Sequence, residues 1–119
     1  PYTTLFRSIP TLIQHFDCSI MTGNPSPLYK YGLCLNKMYD SMMAGKPIIC
    51  AIDAPRTQVE EFECGIHVSS TSPSDIVAAI EKIHHLPLAE KKRMGENGKE
   101  AIMNYYRYHK LAEIFLQSL

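Results

Sequence analysis

Apolar residues along the chain form short continuous runs that alternate with stripes of helical spacing. Pro47–Ile52 is apolar at every position, and shorter apolar segments lie at Cys18–Thr22 and Ile66–Val68. A strand that is apolar throughout, rather than at every second position, is typical of a parallel sheet covered on both faces. The pattern therefore predicts three strands in a parallel sheet, with the last of them at an edge.

Helical signals fill the intervals between these strands. A helix is predicted over Asn36–Ala44, and Gly45 suits the left-handed position that follows a helix. Capping boxes that begin at Thr57 and Ser72 predict two more helices. The helix after Ser72 carries an apolar stripe made of Ile76, Val77, Ile80 and Ile83.

Two further helices are predicted near the C-terminus, one from Leu88 and one over His109–Leu119. The residues expected to face inward are Met94, Gly98, Ala101, Ile102 and Tyr105 in the first helix, and Leu111, Ile114, Phe115 and Leu119 in the second. Gly95 and Gly98 weaken a helix, so at least one of them indicates close packing against another element. The order β-α-β-α-β-α-α-α predicts an α/β fold, a piece of a doubly wound parallel sheet.

Composition and charge narrow the function classes. The 119 residues include 12 Lys and Arg against 12 Asp and Glu, so no general positive field attracts a nucleic acid, and we expect no such partner. No apolar run is long enough to span a bilayer. The four cysteines show no C-x-x-C pattern and no histidine at zinc-finger spacing, so we expect no metal site and a reducing cytoplasm.

The first eight residues, Pro-Tyr-Thr-Thr-Leu-Phe-Arg-Ser, are what the end of a widely used short-read sequencing adapter encodes when it is translated. We therefore interpret residues 1–8 as non-native, and residues 9–119 as an incomplete C-terminal piece of a longer protein. Leaving out this segment removes one cation, Arg7, so the rest of the chain stays close to neutral.

The segment Ser26–Pro47 carries the candidate chemistry. It begins after a predicted parallel strand, where α/β proteins bind ligands. The amides at the start of a helix suit a diphosphate, Lys37 can add a charge-assisted bond, and Asp40 can accept bonds from ribose hydroxyls. The same spacing also fits a solvated Lys37–Asp40 ion pair without any ligand. The chain contains no G-x-G-x-x-G and no Walker lysine, which argues against dinucleotide dehydrogenases and P-loop enzymes.

This segment resembles the donor-binding signature of group 1 (family 4) glycosyltransferases of the GT-B fold. It is most similar to the subgroup from bacterial capsule and O-antigen (lipopolysaccharide) clusters, which reads S-P-L-Y-x-[FY]-G-x-x-x-N-K-x-x-[DE]-Y-M-A-A-G-K-P. A less specific likeness extends from about Ile9 to Leu119. The resemblance implies a partial Rossmann-like parallel sheet with flanking helices, the C-terminal half-domain of a GT-B fold.

The resemblance also implies an activity for the intact protein, although this piece alone would be inactive. A retaining, metal-independent hexosyltransferase would move a sugar from a UDP- or GDP-linked donor to a glycan or lipid-linked acceptor that the missing domain holds. It would need no cofactor and would act in polysaccharide biosynthesis. The expected location is the cytoplasm, with peripheral association at the inner face of the plasma membrane as an open alternative.

The residues that the resemblance assigns to donor binding are Tyr29, Gly32, Leu33, Asn36, Lys37 and Asp40. Asp40 matches the second carboxylate of the family's E-x7-E motif, which holds the ribose, and Gly32 matches its internal glycine beside the diphosphate. The first carboxylate falls on Tyr29, and the separation from Tyr29 to Asp40 is longer than in the motif. The catalytic residues are therefore unassigned, and Lys37 is expected to contact phosphate or ribose.

Two other functions compete with this one. A GT-B nucleotide-sugar epimerase would bind the same diphosphate and would convert a nucleotide sugar without any acceptor. A small non-catalytic α/β interaction domain would fold cooperatively by itself and bind no nucleotide.

Overall fold

Three short parallel strands form the centre of the computed structural model, which describes residues 8, 9, 11–32 and 36–119. The strands are β1 (Ser19–Thr22), β2 (Ile48–Ala51) and β3 (Gly65–Val68), in the spatial order β1-β2-β3. Ile48 of β2 lies opposite Ser19 on one side and Gly65 on the other. The predicted α/β class with a parallel sheet is confirmed. The interpretation of residues 1–8 as non-native concerns a segment that, apart from Ser8, lies outside the described residues.

Helices connect and cover these strands. After β1, in chain order, they are a 3-10 helix (Pro27–Tyr31), α1 (Asn36–Met43), α2 (Gln58–Glu61), α3 (Pro73–His85), α4 (Leu88–Ala101) and α5 (Tyr108–Gln117), with a π-helical turn (Ile102–Tyr106) before α5. The five α-helices lie where the sequence predicts them. The 3-10 helix and the π-helical turn are additions that the apolar periodicity did not predict.

The core occupies both faces of the sheet. Ile48, Cys50 and Ile52 belong to one apolar cluster, which includes residues of α1 and Ala101 of α4. Ile49 belongs to a second cluster with Ala79 and Ile83 of α3. All four residues of β2 are fully buried, which explains why this segment is apolar at every position.

The two glycines of α4 lie where this helix meets the end of α1. A Cβ atom built on Gly95 would lie 1.9 Å from the carbonyl oxygen of Gly45, and one built on Gly98 would lie 3.3 Å from Cα of Met42. Gly45 itself has φ 73, the left-handed conformation predicted for the residue after α1. The prediction of close packing at the glycines is confirmed.

Of the two residues predicted to begin capping boxes, Ser72 caps its helix with its side chain and Thr57 does not. Ser72 Oγ accepts a hydrogen bond of 3.4 Å from the Asp75 amide at the start of α3. Thr57 precedes α2 as predicted, but its side chain makes no capping bond, and its Oγ1 is buried without a hydrogen-bond partner. The left-handed residue after α2 is Glu63, with φ 52, and Gly65 is the first residue of β3.

The predicted inward faces of the last helices are partly wrong. The four apolar residues expected to be inward near the C-terminus are all exposed: Leu111 (44%), Ile114 (47%) and Phe115 (63%) in α5, and Leu119 (87%), which lies beyond the end of that helix. In α3, Val77 and Ile80 are also exposed. Tyr105 is 52% exposed, whereas Tyr106 packs against the core because the π-helical turn changes the helical phase. Periodicity identifies an apolar face, but the described residues supply no surface opposite these positions.

Candidate functional site

A cavity of about 520 Å³ opens at the carboxyl ends of the strands. We call it the strand-end cavity, and its lining residues are Ser26, Pro27, Lys30, Asp53, Ala54, Pro55, His67, Val68 and Ser69. The segments that follow β1 and β2 and the end of β3 all contribute, since parallel strands end at the same edge. This is the edge at which the sequence predicted a ligand.

Asp53 is held in a fixed orientation at this cavity. Its Oδ1 accepts bonds from the Ser69 hydroxyl at 2.8 Å and from the Ser70 amide at 3.2 Å. Its Oδ2 accepts a bond from the Ser70 hydroxyl at 3.1 Å. These bonds, that of the Ser69 hydroxyl foremost, lower the pKa of the Asp53 carboxyl. The cavity wall therefore presents an oriented, ionised carboxylate at neutral pH.

His67, which also lines the strand-end cavity, connects three segments of the chain. Its Nδ1 contacts Oε1 of Glu60 in α2, and its Nε2 lies 2.6 Å from the carbonyl oxygen of Ile52. Both partners are hydrogen-bond acceptors, so each ring nitrogen that carries a hydrogen can donate it to the acceptor beside it. The bridge ties α2 to β3 and holds the backbone directly before Asp53.

Lys30 supplies the positive charge of the strand-end cavity. Its Nζ lies 4.9 Å from the centroid of the Tyr31 ring, a cation-π contact. Within the described part of the chain, none of the ion pairs includes Lys30. Its ammonium group is thus available to a ligand, and the cavity combines one cation with one oriented anion.

A second cavity, of about 670 Å³, lies between α1 and the C-terminal helices. We call it the tyrosine cavity, and it is lined by Tyr39, Asp40, Met43, Ile102, Tyr106, Tyr108 and Leu111. The Tyr39 and Tyr106 rings are 4.9 Å apart, whereas Tyr108 is 92% exposed. An accessible aromatic ring therefore lies at the same cavity as the Asp40 carboxylate.

The residues predicted to bind a donor lie in several places. Tyr29 packs against the core, and its hydroxyl would lie 3.2 Å from a Cβ atom on Gly23. Gly32 ends the 3-10 helix with φ 119. Leu33 lies outside the described residues.

The other three predicted residues belong to α1. Asn36 begins this helix, although its side chain lies outside the described part of the structure, and Lys37 is exposed in the first turn. Asp40, also exposed, lines the tyrosine cavity. The alternative interpretation makes Lys37 and Asp40 a solvated ion pair; both side chains are exposed, and the ion pairs of the described residues do not include one between them. An ion pair between two exposed side chains stabilises a protein little, because water already solvates both charges.

The strand-end cavity takes Ser26, Pro27 and Lys30 from the signature segment, but its lining includes none of the described donor-binding candidates. Sequence reasoning missed Asp53 and Ser69 as site residues. A usable signal existed, because Asp53 directly follows the apolar run that ends at Ile52, and Ser69 directly follows Val68. Polar residues that follow neighbouring parallel strands meet at one edge of the sheet.

The described residues include neither a metal-ligand cluster nor a membrane-spanning helix. No three His, Cys, Asp or Glu side chains among them are grouped closely enough to hold a metal ion. Of the helices in the described ranges, none has the length and apolar character needed to cross a membrane. Comparison with protein-family models, with curated proteins and with solved structures gave no match to this chain.

Proposed function

We propose that this chain is the donor-binding part of a retaining glycosyltransferase of the GT-B fold, in a protein that uses a UDP- or GDP-linked sugar. The observation that carries the proposal is the signature segment Ser26–Pro47, which begins at the strand-end cavity and continues through α1 to the tyrosine cavity. A nucleotide sugar contains a base, a ribose, a diphosphate and a second sugar. Because the segment contributes residues to both cavities, it offers separate points of contact for the parts of such a ligand.

The geometry of α1 supports a role in nucleotide binding. Lys37 is exposed in the first turn, where helix amides and a cation together favour a diphosphate. Asp40 follows about one turn later, and its carboxylate can accept bonds from the ribose hydroxyls. The Tyr108 ring, at the same cavity as Asp40, offers a face on which a base can stack.

The remaining parts of the proposal concern the intact protein. The helix amides and Lys37 would neutralise the diphosphate of the donor, so the proposed transfer needs neither a metal nor another cofactor. The acceptor, a glycan or a lipid-linked glycan, would be held by a second domain. The proposed role is cell-surface polysaccharide synthesis in the cytoplasm, with peripheral association at the inner face of the plasma membrane as one version of it.

Calorimetric titration of the chain with UDP and with GDP tests this proposal. We expect one of them to bind, with the same affinity in EDTA, and we expect Asp40→Ala to weaken binding about tenfold because the ribose loses hydrogen bonds to a charged group. Asp75→Ala is the matched control, since Asp75 is an exposed aspartate in the first turn of α3 and lines neither cavity. Absence of binding to both nucleotides, loss of binding in EDTA, or equal affinity in wild type and Asp40→Ala would refute the proposal.

A further inference from the structure

The Asp53 carboxylate has unused capacity to accept hydrogen bonds. A carboxylate offers about four lone-pair sites, and Ser69 and Ser70 together occupy three of them. Two of these bonds go to Oδ1 and one goes to Oδ2. The remaining site is therefore on Oδ2, at the wall of the strand-end cavity.

The same cavity offers hydrogen-bond donors. Lys30 carries three N–H donors on its ammonium group. Ser26 Oγ accepts a bond of 3.3 Å from the Leu28 amide, so its own proton is free to be donated to another group. A ligand that matches this wall must donate at one point and accept at another.

Sugar hydroxyls meet this requirement, because each hydroxyl both donates and accepts. A phosphate group does not meet it equally well, since it has no strong donor at neutral pH and the ionised Asp53 would repel it. The cavity, of about 520 Å³, is broadly open to solvent, so a ring can reach this wall directly. The chemistry of the wall thus favours a neutral, hydroxyl-rich ring.

We propose that the strand-end cavity binds a sugar ring, with Asp53 Oδ2 accepting a bond from one ring hydroxyl and the Lys30 ammonium donating to another. This inference rests on the proposed function, because the sugar belongs to the donor or to the acceptor glycan. In this inference Asp53 and Lys30 contribute to sugar specificity, whereas Lys37 and Asp40 contact the nucleotide. The Ser69 and Ser70 bonds orient the carboxylate before the sugar arrives, which reduces the entropy lost on binding.

The test compares ligands that differ only by a sugar. Calorimetry gives the dissociation constants of UDP, UDP-glucose, GDP and GDP-mannose. The dissociation constants of free glucose, mannose and maltotriose are measured from the amide chemical shifts of Ala54 and Val68. Wild type is compared with Asp53→Asn, which keeps an oxygen acceptor for Ser70 but loses the charge. Asp75→Asn is the matched control, and melting curves verify that each variant is folded. If Asp53→Asn does not fold, the same dissociation constants are measured for Lys30→Met, which changes another residue of this cavity at an exposed position.

If the cavity holds the donor sugar, Asp53→Asn raises the dissociation constant of the nucleotide sugar about tenfold. The dissociation constant of the corresponding nucleotide without its sugar changes by less than about twofold. An acceptor sugar predicts that only the free sugars lose affinity. Either result supports the inference. Unchanged binding of every sugar-containing ligand, or an equal loss for nucleotide and nucleotide sugar, would overturn it, as would the absence of any sugar-dependent binding in wild type. Free-sugar binding that depends on Asp53, in a chain that binds no nucleotide, would retain this inference and refute the proposed function.

Discussion

Gly95 lies where α4 meets the C-terminal end of α1, and its replacement by alanine tests how closely these helices must approach. The new Cβ would lie 1.9 Å from the Gly45 carbonyl oxygen and 2.5 Å from its carbonyl carbon. An ordinary contact for a Cβ atom begins at 3.4 Å, so the two backbones must separate by about 1.5 Å. Both atoms in the clash belong to the backbone, so no side-chain rotation relieves it.

The expected loss of stability follows from two opposing terms. Overpacking of this kind costs about 1 to 3 kcal/mol, and the backbone clash places Gly95→Ala at or above the upper end of that range. Alanine recovers about 1 kcal/mol of helix propensity. We therefore expect a net loss of about 2 kcal/mol in the free energy of unfolding, which for a chain of this length lowers Tm by about 8 °C.

Gly98→Ala is the matched control, because it makes the same chemical change on the same helix. Its Cβ would lie 3.3 Å from Cα of Met42, a contact that a small shift relieves. Urea unfolding followed by circular dichroism at 222 nm should place Gly98→Ala within about 1 kcal/mol of wild type. The reasoning is refuted if Gly95→Ala is as stable as wild type, or if both variants lose the same amount.

Two further predictions follow from the perturbed pKa values. The pKa of Asp53 is lowered in the folded state, so its contribution to stability is present above about pH 4 and is lost as the pH falls through the folded pKa. Ser69→Ala removes the main cause, so urea unfolding at pH 6 and pH 3 should show a smaller loss of stability than in wild type; an equal loss would contradict this. Burial raises the pKa of the Cys50 and Cys64 thiols to about 11. Iodoacetamide at pH 8, followed by peptide mapping, should modify both far more slowly in the folded chain than in urea, and equal rates would show that these thiols are accessible.

Much of the fold could be predicted because its causes are local. A strand covered on both faces requires an apolar residue at every position, and Pro47–Ile52 displays that requirement directly. The Ser72 cap and the left-handed Gly45 depend on a few neighbouring residues, and both were predicted correctly. The inward face of α5 was wrong because burial depends on what lies opposite, and periodicity does not contain that information.

For the candidate site too, some features could be predicted from the sequence and others depend on the tertiary structure. The sequence alone predicted that a candidate ligand-binding segment follows the first strand and that α1 begins at Asn36, since strand runs and helix boundaries are local features. Only the tertiary structure decided that Lys30, Asp53 and His67 line one cavity and that Asp40 lines another. The reason is physical: parallel pairing carries segments far apart in the chain to one edge of the sheet. Which segments meet there depends on the spatial order of the strands and on how each loop is oriented by its own hydrogen bonds.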